Sequence, residues 1–186
     1  MNFNEFAKEV HDNSIKHGWW EEERSFAEII ALCHSELSEA LEEYRDGKPM
    51  AYFIDEPIEC CLKEETDFSN WHGQKPEGIA VELADCVIRI LDYCGKEDID
   101  VESTILLLCQ QKITCTLPKL IAECHCSLSW AYDWKHKQKE IMGGLITCIL
   151  MIFSWCEENH IDIEEIIKIK HEYNKTRPYK HGGKVI

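Results

Sequence analysis

The chain has 186 residues, of which 45% are hydrophobic and 30% charged. That balance fits one compact domain, or two small similar units sharing a core. Only 9 glycines and 5 prolines occur, which argues against a loop-rich all-β fold and against low-complexity disorder. The net charge of −15 repels nucleic acid and anionic lipid. A phosphate-bearing ligand must therefore be small, and must be met by a local basic cluster or by metal ions.

The hydrophobic spacing predicts an all-α chain. A first amphipathic helix runs from about Asn4 to His17, stops at Gly18 and leads to the Trp19-Trp20 pair. A second runs from about Ser25 to Arg45, with Ser25 as N-cap, Glu28 in the capping-box position and Asp46-Gly47 ending it. Residues 47–76, with Pro49, Pro57, Gly73 and Pro76, read as an irregular excursion of a length that is often functional. A third helix covers about Glu77 to Cys94 and ends at Gly95, and Asp100 caps a fourth that reaches about Lys112. Three more follow, at about Pro118 to Lys137, Lys139 to Asn159, and Asp162 to Lys175. The basic tail, residues 176–186, carries Pro178 and Gly182-Gly183 and is expected to be extended.

Residues Met1 to His11 lack a basic segment followed by an apolar one, so no signal peptide is expected and a cytoplasmic location is. The longest uncharged apolar stretch, Ile141 to Cys156, has 16 residues. It falls short of the roughly 20 that span a bilayer and reads as a buried helix, so no membrane partner is expected. The 11 cysteines are scattered. Several lie inside apolar helical patterns, where a free thiol behaves as a small hydrophobe. Cys124 and Cys126 would point about 200° apart on a helix and do not readily share a zinc ion, so packing is the preferred reading.

An internal repeat organises the chain. Cys33-His34-x-x-Leu37-Ser38-x-Ala40 recurs as Cys124-His125-x-x-Leu128-Ser129-x-Ala131. Cys86, Cys94 and Ile99-Asp100-Val101 recur at a constant offset as Cys148, Cys156 and Ile161-Asp162-Ile163. The expected architecture is a four-helix-bundle-type core in one domain, built from two tandem helical-hairpin units at about 25–112 and 118–175.

The first unit carries Glu36-x-x-Glu39 on one helix and Glu82-x-x-Asp85 on the next. Residues three apart share a helix face, so each pair can converge on one point. The third helix is apolar almost all round, except for a narrow sector holding Glu82, Asp85, Arg89 and Asp92. Four facing carboxylates need a divalent cation, and oxygen ligands without His or Cys suit Mg²⁺, with Mn²⁺ as an alternative. A solvated acidic face is the plainer reading of such spacing. Against it, the matching positions of the second unit are Ser127, Trp130, Gly144 and Thr147, so one unit keeps the charges and the other reads as scaffold. A di-iron bundle would need a Glu-x-x-His on each of two helices, and only Glu157-x-x-His160 qualifies.

These residues resemble the signature of MazG-like all-α nucleoside triphosphate pyrophosphohydrolases. The resemblance rests on Ser35-Glu36-Leu37-Ser38-Glu39-Ala40-Leu41-Glu42-Glu43 and on Glu82-Leu83-Ala84-Asp85-Cys86-Val87. Tyr173-Asn174-Lys175-Thr176-Arg177-Pro178 and His181-Gly182-Gly183-Lys184 are similar to the family's C-terminal segment. The long excursion between the acidic helices departs from the pattern, as does placing the Asn and the basic residue in the second unit. The resemblance implies hydrolysis of a (d)NTP to the monophosphate and pyrophosphate, with Mg²⁺ held by Glu36, Glu39, Glu82 and Asp85. Glu39 is expected to act as general base. Lys16, Arg177, Lys180 and Lys184 are expected at the phosphates, Asn174 at the substrate, and Trp19 or Trp20 stacked on the base. One of the two tryptophans is expected to be a core anchor. Among His17, His34 and His181, only His181 is expected near substrate. The expected partner is a small nucleotide and no nucleic acid, with a homodimer possible. A non-catalytic helical scaffold and a hydrolase of another nucleotide are the alternatives.

Overall fold

The computed structural model describes residues 1–54, 71–108 and 114–183. Seven helices dominate: α1 (Phe3–Lys16), α2 (Phe26–Arg45), α3 (Ile79–Lys96), α4 (Val101–Leu107), α5 (Leu117–Asp133), α6 (Gln138–Glu158) and α7 (Ile163–Thr176). The all-α expectation holds, and the helix starts follow local chemistry. Ser25 and Glu28 form a reciprocal capping box on α2, and Asp100 and Asp162 accept from the third backbone N–H of α4 and α7.

Three expectations need correction. Two short strands, β1 (Tyr52–Ile54) and β2 (Lys75–Glu77), pair antiparallel with Phe53 opposite Pro76, so the excursion begins and ends as a small ribbon. Residues 55–70 of it lie outside the described residues. The fourth helix stops at Leu107, and Lys112 lies outside the described residues. The tail turns after Pro178 instead of extending: Lys180, His181, Gly182 and Gly183 all have positive φ.

Helix α3 is the central element, packed against α1, α2 and α7 and more lightly against α6. Thirteen of its residues are buried, as its nearly continuous apolar circumference requires. Helix α2 pairs with α3 and α5 with α6, and α2 also packs on α5. Helix α6 is long and apolar enough, by length and composition, to cross a membrane. Here its Leu145, Ile146, Ile149 and Ile152 are fully buried in the common core.

Close helix approach depends on small residues at two places. A Cβ on Gly95 would stand 2.4 Å from the Ala7 carbonyl oxygen of α1. One on Gly144 would stand 2.7 Å from Ala131 Cβ and 2.8 Å from the Ser127 carbonyl oxygen. The thiols also pack as expected. Cys33, Cys86, Cys148 and Cys124 are fully buried and form a row of thiol–thiol hydrogen bonds across the core. All eight cysteines among the described residues are free.

Candidate metal centre and adjoining cleft

Glu36 of α2 and Glu82 and Asp85 of α3 offer carboxylate oxygens within 4.8 Å of one another. They are the only such group of potential ligands among the described residues. Glu36 is 4% and Glu82 7% exposed, and burial of that degree strongly penalises charge. Two cations answer it. The Arg89 guanidinium, one helical turn beyond Asp85, binds Glu36. Lys170 of α7, itself buried, stands 2.9 Å from Asp85. Glu82 is the one member of the three with no ion pair among the described residues.

The electrostatics follow. Burial pushes Glu82 up to about 8, with the Asp85 charge adding to it and Lys170 opposing. Burial likewise pushes Glu36 up to about 7, against the pull of Arg89. Burial opposes the charge on Lys170 and Arg89 too, but the facing carboxylates outweigh it and hold both above their usual values. Such a group takes up either protons or a hard divalent cation, and its all-oxygen donor set fits Mg²⁺ or Mn²⁺.

Glu39 stands apart from the three. It is on the exposed side of α2, where Ser35 Oγ donates to it at 2.9 Å. Its charge still reaches Glu36 and Glu82, raising both.

A cleft opens directly beside the carboxylates and shares Asp85 and Arg89 with them. It is shallow, enclosing about 70 Å³, and its mouth is open to solvent. Helix α1 contributes Asn13, Ser14 and His17, and the α1–α2 loop contributes Trp19 and Arg24. Helix α3 adds Asp92, and the C-terminal end of α7 with the tail adds His171, Asn174, Arg177 and His181. Three arginines, Arg24, Arg89 and Arg177, line it together with Asp85 and Asp92, and Arg89 is bound to Glu36.

Among the described residues, three buried polar atoms lack a hydrogen-bond partner: Arg24 Nη2, His171 Nε2 and Asn174 Oδ1. All three residues line this cleft. His171 Nε2 lies 3.4 Å from Glu9, close enough for attraction but without hydrogen-bond geometry. Burial also holds His171 below its usual value, with Lys175 acting in the same sense. Unpaired buried polar groups are rare because each costs about 1–3 kcal/mol. All three face this one cleft, His171 with the Glu9 carboxylate nearby.

The tail is clamped so as to complete the cleft. Gly18 has φ +80, and the Tyr179 ring lies where its Cβ would be. Lys180 N–H donates to the His17 carbonyl at 3.0 Å, and Tyr179 Oη donates to Glu21. This docking sets His181 edge-on to Trp19, 5.0 Å between ring centroids, with the Arg24 guanidinium 4.9 Å from the Trp19 ring centroid.

Asn174, Arg177 and Trp19 thus lie at the cleft. Trp20 does not line it: its Nε1 donates to buried Asp92 at 2.9 Å, beside His11, and its ring packs on the core. Lys16 is exposed at the end of α1, and Lys180 lies over the Tyr179 ring. Neither lines the cleft, and Lys184 lies outside the described residues. His17 lines it, contrary to expectation, along with His181.

Arg24, Arg89, Lys170 and His171 are the residues that sequence reasoning passed over as site groups. For Lys170 a signal was present, the same one that Asn174 carries further along the helix. They continue the buried stripe of α7 that Ile163, Ile166 and Ile167 begin, which is no place for a polar residue without a task. No protein-family model, curated protein or solved structure matches the chain.

Proposed function

We propose that this protein is a Mg²⁺-dependent hydrolase that cleaves a (d)NTP to the (d)NMP and pyrophosphate, on a MazG-like bundle of two tandem hairpins. One observation carries the reading: a buried carboxylate group and a cationic cleft with unpaired polar atoms meet along α3 and share Asp85 and Arg89. A triphosphate needs both, since its charge is met by metal and arginine while its nucleoside end needs a polar, partly aromatic recess. The resemblance in the acidic helices and in the tail points the same way.

The chain's own groups divide the work. Glu36, Glu82 and Asp85 are the metal ligands, with Glu39 at their exposed edge as the candidate to orient water. Bound Mg²⁺ would supply charge neutralisation and an acidified water. Arg89 and Lys170, which hold Glu36 and Asp85 in the structure, are placed to turn to phosphate oxygens once the carboxylates ligate metal. Asn174 of α7 and Arg177 just beyond its end face the substrate, and Trp19 offers a ring for the base. The site is composite: carboxylates come from α2 and α3 of the first unit, and contacts to substrate from α1, α7 and the tail. A cytoplasmic setting, with nucleotides as the partners, belongs to the same reading.

A non-catalytic scaffold is the second reading, favoured by the ion pairs of Arg89 and Lys170, which already neutralise two of the three carboxylates. The test is pyrophosphate release from a panel of dNTPs and NTPs, with and without Mg²⁺, beside a Glu82→Gln control. Metal-dependent pyrophosphate that disappears in the control supports the hydrolase. Orthophosphate would refute the cleavage position, and no release from the panel would favour the scaffold.

A further inference from the structure

His34 of α2 and His125 of α5 face each other where the two hairpins meet. Their Nδ1 atoms are 2.6 Å apart, while the ring centroids are 4.8 Å apart and the planes are inclined by 24°. The difference between these distances is nearly the sum of two ring radii. The two nitrogens therefore lie between the rings and point at each other, one Nδ1–H donating to the other Nδ1, and a bound ion would replace that shared proton. Both side chains are half-buried, so each ring is anchored yet reachable from solvent. They hold matching positions in the two Cys-His-x-x-Leu-Ser-x-Ala segments. Neither ring lines the cleft or belongs to the carboxylate group.

We propose that His34 and His125 form a second metal site, one that takes a divalent transition-metal ion of the Zn²⁺ or Cu²⁺ kind and joins α2 to α5, with water completing the coordination. Imidazole nitrogen selects such ions over Mg²⁺. Zinc–nitrogen bonds of about 2.0–2.1 Å in tetrahedral geometry separate two nitrogens by about 3.3 Å. The nitrogens thus need to part by about 0.7 Å, and each ring must turn so that its nitrogen lone pair meets the ion beside the line that now joins them. Bringing both ligands together is the main entropic cost of a two-ligand site, and the packing of α2 on α5 has already met it. The ion would lock the seam between the hairpins, a structural role separate from the hydrolytic reading.

The test uses the whole chain in the Glu82→Gln background, so that the carboxylate centre does not obscure the result. Zn²⁺ is titrated by calorimetry, and the same protein is loaded with Cu²⁺ for electron paramagnetic resonance. One equivalent of Zn²⁺ should bind and raise Tm. His34→Ala and His125→Ala should each weaken it about tenfold or more, and Cys126→Ala, which removes the exposed thiol beside His125, should leave it unchanged. The Cu²⁺ spectrum should show hyperfine coupling to two nitrogens. Undiminished Zn²⁺ affinity in both histidine variants, or a Cu²⁺ spectrum without nitrogen coupling in the parent, would overturn the proposal. Circular dichroism of each variant separates loss of ligand from loss of fold.

Discussion

The α2–α3 and α5–α6 hairpins place different chemistry at matching positions. In α2–α3, Glu36 and Glu82 occupy the interface and are held back from full charge by burial, against the opposing pull of Arg89 on Glu36 and of Lys170 on Glu82. In α5–α6 the corresponding Ser127 and Gly144 touch directly, Ser127 Oγ donating to the Gly144 carbonyl at 2.8 Å. Close contact fills in the second hairpin the space that the first reserves for carboxylates. A buried acidic group is poor evidence of stability and good evidence of a task, because an apolar or small-residue interface of the same shape is usually at least as stable.

The sharpest way to break this comparison is through Glu82. Glu82→Gln should lower Mg²⁺-dependent turnover at least about a hundredfold, while unfolding in urea shows stability unchanged or raised. Retained turnover would move the chemistry elsewhere. The converse substitution, Gly144→Ala, should cost about 1–3 kcal/mol because its Cβ has no room between Ala131 and Ser127. A urea midpoint equal to wild type would show that the second hairpin is not tightly closed.

Acidity sharpens the contrast next. In the native state Glu36 and Glu82 titrate near 7 and 8, against 4.5 for an ordinary glutamate. The native state therefore holds more protons than the unfolded one between these values. The contribution of these two groups to stability is greatest below about pH 4.5, falls as the pH rises through 8, and is constant beyond. Tm of metal-free protein, followed from pH 5.5 to 8.5, should carry that decline, and Glu82→Gln should flatten it. Mg²⁺ should stabilise more at the upper end, where it displaces no protons.

Smaller effects are expected at the cleft. Asn174→Ala should raise KM about 5–10-fold, the worth of one buried hydrogen bond, whereas Lys16→Ala should leave KM unchanged. Smallest of all, Ser127→Ala should cost about 1 kcal/mol in urea unfolding, with no effect on turnover.

The helices were legible in the sequence because their signals are local: the capping box at Ser25, the aspartate caps of α4 and α7, and the stripe that buries α3 on almost every side. The β1–β2 ribbon was not. Three-residue strands containing Pro76 give no alternation to read, and their pairing is set by the docking of β2 on α3 and α7. Glu36, Glu82 and Asp85 were legible from spacing and from their replacement in the second unit. Glu39 shares their spacing, but a three-residue step turns a helix through about 300°, enough here to leave it exposed. Apart from Lys16, the basic residues were sought in the tail, where charge is conspicuous. Arg89 and Lys170 instead stand inside helices: Arg89 was marked by sharing the narrow polar sector of α3 with Glu82 and Asp85, though not as a site group, and Lys170 only by its position on a buried face.

Central to the account is that the carboxylates and the cleft serve one ligand. Mn²⁺ affinity, measured by electron paramagnetic resonance with and without a non-hydrolysable α,β-methylene dNTP chosen from those the turnover assay accepts, tests this most directly. The nucleotide should tighten Mn²⁺ binding in the wild type, and Asn174→Ala, remote from the metal ligands, should remove most of that tightening. Mn²⁺ binding indifferent to the nucleotide would contradict the account and leave two unrelated sites side by side on α3.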